Sequence, residues 1–218
     1  MKNYKYILFD LDGALIYSHM GIFNGFRYAL KAMGKETPDD VYLRRCVGPS
    51  LMYSFQTFFG MDEETARVAT AKYREIYAVQ GVWENEPIEG VLEGLRKLKE
   101  VGYVLAMSTS KPLIFAEKIA KKHGFSQYFS AEVGSGIDGS LPTKASVIEE
   151  TIKRLHASAD ECLMIGDTKY DAEGAAICGV DCALLKVGYA ANEEEYRSHG
   201  VTYVFDGYED LIAFLIER

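Results

Sequence analysis

A doubly wound α/β domain interrupted by a helical block is the fold class that this 218-residue sequence predicts, on three observations. Short apolar runs alternate with segments of helical period from residue 87 to the C-terminus. One further apolar run, Tyr6-Ile7-Leu8-Phe9, stands by itself near the N-terminus. Between the two, residues 17–83 carry helical spacing and no strand candidate. Strands that alternate with helices imply right-handed crossovers and a parallel sheet covered on both faces. The expectation is a Rossmann-like core of strand order 3-2-1-4-5-6 made by residues 1–16 and 84–218. An all-helical cap of residues 17–83 is inserted through linkers at residues 16–19 and 82–89.

The elements follow in order. Residues 6–9 form a buried strand that must stop at Asp10-Leu11-Asp12-Gly13. In the cap, Ile22, Phe26, Ala29, Leu30 and Met33 share a helix face that ends at Gly34. Leu51, Phe55, Phe58 and Phe59 do the same before Gly60, and Asp62 caps a third helix bearing Ala66, Ala69, Tyr73 and Ile76. In the core, residues 91–101 are an amphipathic helix closed by Gly102, residues 104–107 a strand, 114–123 a helix and 131–133 a short strand. Residues 144–156 are helical, with Val147, Ile148, Thr151 and Leu155 on one face and the pairs Glu149/Lys153 and Glu150/Arg154 on the other. Residues 162–165 are a strand, 172–178 a helix and 181–185 a strand; a weaker strand at 203–205 and a helix from Tyr208 complete the chain.

Composition narrows the function. Twenty-four Lys and Arg against 32 Asp and Glu give a net charge of −8, which disfavours a nucleic-acid backbone as partner. A local cluster of metal and Lys still suits a small phosphorylated metabolite. No apolar stretch approaches the ~20 residues that span a bilayer, and residues 1–5 lead directly into a strand instead of a signal sequence. The expected location is cytoplasmic. Cys46, Cys162, Cys178 and Cys182 make no CxxC pair and read as buried free thiols. His123 and His156 fall at predicted helix C-termini, where an imidazolium complements the dipole, and no histidine is assigned chemistry.

Chemistry-bearing residues collect where strands end. Asp10 and Asp12 alternate to one side of an extended chain, and two crowded carboxylates raise each other's cost of ionisation unless a cation lies between them. An acidic turn after a strand explains the pair equally well. Ser108-Thr109-Ser110-Lys111-Pro112 reads as a hydroxyl-rich turn before a helix, suited to phosphoryl oxygens and equally to helix capping. Gly166-Asp167-Thr168-Lys169-Tyr170-Asp171 puts two acids one helical turn apart beyond a buried strand. Lys144 opens its helix, a poor place for a cation unless carboxylates or phosphate answer it. In the predicted strand order the first and fourth strands are neighbours at the switch point, so Asp10, Asp12, Asp167 and Asp171 converge on one crevice beside Thr109. Gly134-Ser135-Gly136-Ile137-Asp138-Gly139 spells a dinucleotide fingerprint, but it follows the wrong strand and Leu141-Pro142 intervenes before the helix; it reads as a flexible loop delivering Lys144.

In this ordered set the chain resembles the haloacid dehalogenase superfamily of phosphatases. The residues that carry the resemblance are Asp10-Leu11-Asp12-Gly13, Thr109-Ser110, Lys144, and Gly166-Asp167 with Asp171. It is most similar to the branch with a small helical cap, the phosphoglycolate phosphatase and 5′-nucleotidase-like group. Supporting details are Val47-Gly48-Pro49-Ser50-Leu51, Glu84-Asn85-Glu86, Lys111-Pro112 and Val187-Gly188-Tyr189. Two positions depart from it: Ala14 stands where the family usually has Thr, and Tyr17 where it has Asp. The first removes a hydroxyl from the turn beside the metal loop. Lys144 also lacks the Lys-Pro signature of many relatives.

The resemblance implies an Mg²⁺-dependent phosphomonoester hydrolase. Asp10 would be nucleophile and metal ligand; Asp12 would be acid and base, with its carbonyl on the metal; Asp167 would complete the protein ligands. Thr109, Ser110 and Lys144 would hold the phosphoryl group, and Asp171 would orient Lys144 or a metal-bound water. Arg45, Gly48 and Pro49 in the cap would face the substrate, with Arg45 a planar donor for a carboxylate or a second phosphate oxygen. The expected partner is a small phosphorylated metabolite, with no nucleic-acid polymer and no membrane, and the protein itself is expected to be a monomer or homodimer. A phosphosugar mutase keeps the same core residues, and a silent phospho-ligand-binding regulatory protein keeps the fold. A dehalogenase has no use for Asp12, because halide leaves unprotonated.

Overall fold

The computed structural model describes residues 2–190 and 192–217. The chain divides into two compact units, Met1–Tyr17 with Pro87–Arg218, and Ser18–Glu86.

The first unit is built on β1 (Tyr6–Phe9), β4 (Val104–Pro112), β5 (Phe129–Ser135), β6 (Cys162–Gly166), β7 (Asp181–Leu185) and β8 (Val201–Phe205). Among the described residues these six strands form one parallel sheet in the order β5-β4-β1-β6-β7-β8. Taken without the small ribbon below, that is the predicted order 3-2-1-4-5-6. The core helices are α5 (Val91–Glu100), α6 (Leu113–Lys122), α7 (Lys144–Leu155), α8 (Lys169–Ile177) and α9 (Tyr208–Ile216). Helices over both faces leave a central strand no polar side, which is why Ile7, Leu8, Phe9 and the whole of Cys162–Gly166 are buried without alternation. Leu8 packs with Ala106, Met164, Ile148 and Ala175.

Register fixes what stands at the sheet's C-terminal edge. Phe9 pairs with Met107 on one side and Ile165 on the other, so the residues following all three strands emerge side by side. His123 and His156 are the C-caps of α6 and α7, as their spacing predicts. Of the cysteines, Cys46, Cys162 and Cys182 are buried free thiols, while Cys178 is only partly covered at the end of α8. Among the described residues no helix is long and apolar enough to cross a membrane.

The second unit comprises α1 (His19–Ala32), α2 (Asp40–Leu43), a 3-10 turn at Arg44–Cys46, α3 (Leu51–Thr57), α4 (Glu63–Tyr77) and a 3-10 turn at Gly81–Trp83. Side chains cap three of its helices: Asp39 accepts from the Tyr42 N–H, Ser50 from that of Tyr53 and Asp62 from that of Thr65. Phe26 sits at its centre, with ring centroids of Phe55 at 4.9 Å, Tyr73 at 5.2 Å and Phe59 at 5.8 Å. At the crossovers, β2 (Ile16–Tyr17) and β3 (Glu86–Pro87) form a separate two-stranded sheet.

Several local expectations need correction. The segment 108–112 is not a turn: β4 continues in extended form to Pro112, because β5 also runs further, to Ser135, and pairs with it. Gly134 and Ser135 are therefore strand residues, and only 136–142 remain a loop, closed by a bond from the Gly136 N–H to the Ser140 carbonyl. Helix α8 begins three residues earlier than its apolar spacing shows, since Thr168 caps it. The short α2 and the ribbon strands were too brief for any periodicity to register.

Candidate active site

Three adjacent strand ends supply the cluster. Asp10 follows β1 directly, and its N–H donates to the Ile165 carbonyl at 2.8 Å, which locks the nucleophile candidate to the neighbouring strand. The chain then folds back on itself: the Leu15 and Ile16 N–H groups both donate to the Leu11 carbonyl, and Gly13 supplies a φ of 81° for the reversal. Ala14, the position lacking the family hydroxyl, is fully buried in this turn, and its carbonyl accepts from the Tyr208 hydroxyl of α9 at 2.8 Å. The turn is thus held by a partner from the far end of the chain.

Lys144 is the hub. As the first residue of α7 it follows Thr143, whose hydroxyl accepts from the Ser146 N–H. Its ammonium lies 3.0 Å from Asp10 Oδ1 and 2.7 Å from Asp171 Oδ1, and donates to the Ser108 carbonyl at 2.9 Å. The expected conflict with the helix dipole is resolved by two buried carboxylates. Asp171 spends its other oxygen, Oδ2, on the Asp167 N–H (3.2 Å), the Thr168 N–H (3.1 Å) and the Thr168 hydroxyl (3.2 Å). Asp171 therefore reaches back over the start of α8 and is fully engaged in holding Lys144 and that loop.

Asp167 is fixed differently. Its Oδ2 accepts from the Tyr189 N–H at 2.6 Å. Gly13 and Gly188 close on it from two loops: a Cβ at Gly13 would stand 1.9 Å from Oδ2, and one at Gly188 2.2 Å from the Asp167 Cβ. Only glycine leaves room for the carboxylate at either point.

The electrostatics follow from burial. Asp10 is pushed up to about 6, chiefly because it is out of water; Lys144 opposes the rise, Asp171 and Asp12 add to it, and a bond from the Thr109 hydroxyl pulls it back. Asp167 is raised well above the usual carboxylate range by burial and by Asp171 and Asp10, against the Tyr189 N–H. Burial pulls the Lys144 ammonium down, but Asp10 and Asp171 together outweigh it and hold the group above its ordinary value. Oxygens of Asp10, Asp167 and Asp171 lie within 4.8 Å of one another. Three buried carboxylates against one ammonium leave 1 − 3 = −2 formal charges there, and hard oxygen donors with that deficit fit a divalent cation such as Mg²⁺.

Of the residues predicted from sequence, the core unit brings together Asp10, Asp12, Thr109, Lys144, Asp167 and Asp171. Ser110 is half-buried on the same strand as Thr109, its carbonyl accepting from the Ser135 hydroxyl at 2.8 Å. Arg45, Gly48 and Pro49 belong to the cap unit. There the Arg45 guanidinium is exposed and lies 4.1 Å over the Tyr42 ring and 5.8 Å from that of Phe58, while Gly48 and Pro49 are half-buried just beyond.

Sequence reasoning quoted Lys111 and gave it no role, yet its ammonium is 2.7 Å from Asp12 Oδ2 and nearly buried. It also passed over the Ser108 carbonyl and the Tyr189 N–H. The signal for Lys111 was its place two residues after Thr109; no side-chain pattern foretells the two backbone groups.

A sequence profile described as Haloacid dehalogenase-like hydrolase matches residues 7–185. The chain belongs to that family. Similarity to individual members spans nearly its whole length. A protein named 5′-nucleotidase from Pseudomonas aeruginosa is 38% identical over 202 residues, 92% of this chain and 90% of the relative. The tyrosine-protein kinase PtkA of Mycobacterium tuberculosis is 32% identical over 183 residues, 84% of this chain and 62% of the relative. Among solved structures, a predicted phosphatase from Clostridium acetobutylicum superposes with a TM-score of 0.95 at 35% identity, covering 99% of this chain and all of the other. With this kinship and the acidic cluster, the chain stands among the family's phosphatases, hydrolases of phosphorylated substrates.

Proposed function

We propose that the chain is an Mg²⁺-dependent phosphomonoesterase that hydrolyses a small phosphorylated metabolite, of phosphoglycolate or nucleoside monophosphate type, through an aspartyl phosphate on Asp10. The observation that carries the reading is the buried Asp10 carboxylate, charge-paired to Lys144 at 3.0 Å, with a second acid, Asp12, two residues on. Asp10, the Asp12 backbone carbonyl and Asp167 would hold Mg²⁺, which supplies neutralising charge for the acids and the incoming phosphate.

In the first step an Asp10 oxygen forms a bond to phosphorus as the bond to the leaving oxygen breaks, and Asp12 gives that oxygen its proton. In the second, Asp12 takes a proton from a water whose oxygen attacks phosphorus, freeing Asp10 and releasing phosphate. Lys144, the Thr109 hydroxyl and the Ser110 N–H stabilise charge on the equatorial oxygens. Asp171 keeps Lys144 in place and does not itself react. Recognition of the organic part of the substrate is assigned to Arg45, Gly48 and Pro49, and the setting to the cytoplasm, where free thiols such as Cys46 and Cys162 stay reduced.

The test is phosphate release from a panel of phosphorylated metabolites and p-nitrophenyl phosphate, with and without Mg²⁺, ranked by kcat/KM. Wild type should turn over several members only with the metal. Asp10→Asn should lose a factor on the order of 10³ or more while keeping its circular dichroism spectrum and melting temperature. Full turnover after exhaustive EDTA treatment, or an active Asp10→Asn, would overturn the mechanism.

A further inference from the structure

We propose that Lys111 is a positioning residue that fixes which oxygen of Asp12 exchanges the proton with the leaving group; the proposal rests on the phosphatase reading above. Lys111 Nζ and Asp12 Oδ2 are 2.7 Å apart, with side-chain exposures of 5% and 11%, so little water competes for either group. The other oxygen, Asp12 Oδ1, is buried and accepts no hydrogen bond among the described residues. One carboxylate oxygen is therefore committed and the other is available. A buried acceptor without a partner is costly, and an arriving oxygen that carries or receives a proton removes that cost.

The holder is itself held. The Lys111 N–H donates to the Thr109 hydroxyl oxygen at 3.2 Å, and the flanking Ser110 and Pro112 are tied to β5 by the Ser135 hydroxyl and by strand pairing. Strand β4 lies directly beside β1, so the ion pair crosses two neighbouring strand ends. Asp12 sits on the turn after β1, where its side chain has no other described anchor, and free rotation would spread its proton over several directions. Restricting it to one direction is the contribution that orientation makes to proton transfer. Nothing in this arrangement requires Lys111 to touch substrate.

The distinction is measurable in kcat/KM, which reports the steps through departure of the leaving group and not the later hydrolysis common to every ester; there a misdirected Asp12 matters only when the leaving group needs a proton. Lys111→Met and Lys111→Arg are compared with wild type, all with Mg²⁺, on 2,4-dinitrophenyl, p-nitrophenyl and phenyl phosphate and on one alkyl phosphate. Lys111→Met should lose at least about tenfold more kcat/KM on the alkyl and phenyl esters than on the dinitrophenyl ester. Lys111→Arg, which keeps a cationic donor, should recover most of that difference. Should Lys111→Met fail to fold, Lys111→Gln, which keeps a donor on a shorter stem, carries the same comparison. Losses in kcat/KM that are equal on every ester would mark a merely structural or substrate-binding role and overturn the proposal. Wild type that releases no phosphate from any ester would overturn the phosphatase reading, and the assignment with it.

Discussion

Lys144 and Asp171 are joined by a 2.7 Å ion pair in which the two side chains are 6% and 2% exposed. Because Asp10 stands at 3.0 Å from the same ammonium, removing Lys144 strands two buried carboxylates at once. Lys144→Ala should cost about 3–5 kcal/mol of unfolding free energy in urea titration. Adding Asp171→Asn should cost far less than its own single-variant penalty, with a coupling of about 1–3 kcal/mol in a double-mutant cycle. Additive losses would show that the pair is not energetically joined.

Stability of the metal-free protein should depend on pH in an unusual direction. An unfolded Asp titrates near 4, whereas folded Asp10 is raised to about 6. A raised folded value favours the protonated form, so its contribution is complete below about pH 4 and is lost as pH climbs through 6. Asp167 shifts the same way and adds to the loss. Mg²⁺ competes with those protons and needs the carboxylates ionised, so the rise in melting temperature on adding Mg²⁺ should grow steadily from pH 5 to pH 7. Differential scanning fluorimetry across that range checks it; an increment independent of pH would contradict the arrangement of acids.

Gly188→Ala should injure metal binding before it injures the fold. The new methyl would stand 2.2 Å from the Asp167 Cβ, and Asp167 has to swing away from the Tyr189 N–H that fixes it. Titration with Mn²⁺, read by electron paramagnetic resonance without substrate, should show affinity weakened by about tenfold or more. Unchanged Mn²⁺ affinity would dissociate the glycine from the ligand.

Arg45→Ala addresses selectivity. If Arg45 recognises the metabolite, kcat/KM for the preferred substrate should fall at least about tenfold further than for p-nitrophenyl phosphate. Losing its stack on Tyr42 and Phe58 should cost only about 0.5–1 kcal/mol, which a melting curve separates from a kinetic effect. Equal losses on both substrates would remove Arg45 from recognition.

The strands were legible because both faces of each central strand are covered, which turns burial into uninterrupted apolar runs such as Tyr6–Phe9 and Cys162–Gly166. Their order made Asp10 and Asp167 neighbours without any single decisive motif. Lys144 announced itself by standing against the helix dipole. What stayed hidden depends on partners rather than on pattern. Residues 108–112 look like a turn until β5 is laid beside them, and the start of α8 is set by Asp171 bonding back to Thr168, not by apolar spacing. Lys111 has the composition of any surface lysine, and only the approach of β4 to the turn after β1 gives it Asp12.

The position of β1 between β4 and β6 also bears on when the site comes into being during synthesis. Asp10 is translated well before Ile165, so its N–H has no sheet partner until Ile165 has left the ribosome, and the turn at Ala14 gains its Tyr208 bond later still. A nascent chain arrested before Ile165 would carry both aspartates of the first turn on a strand with one flank open. Asp10 is made long before the strand that secures it, so premature release should yield chains without activity, not slower enzymes.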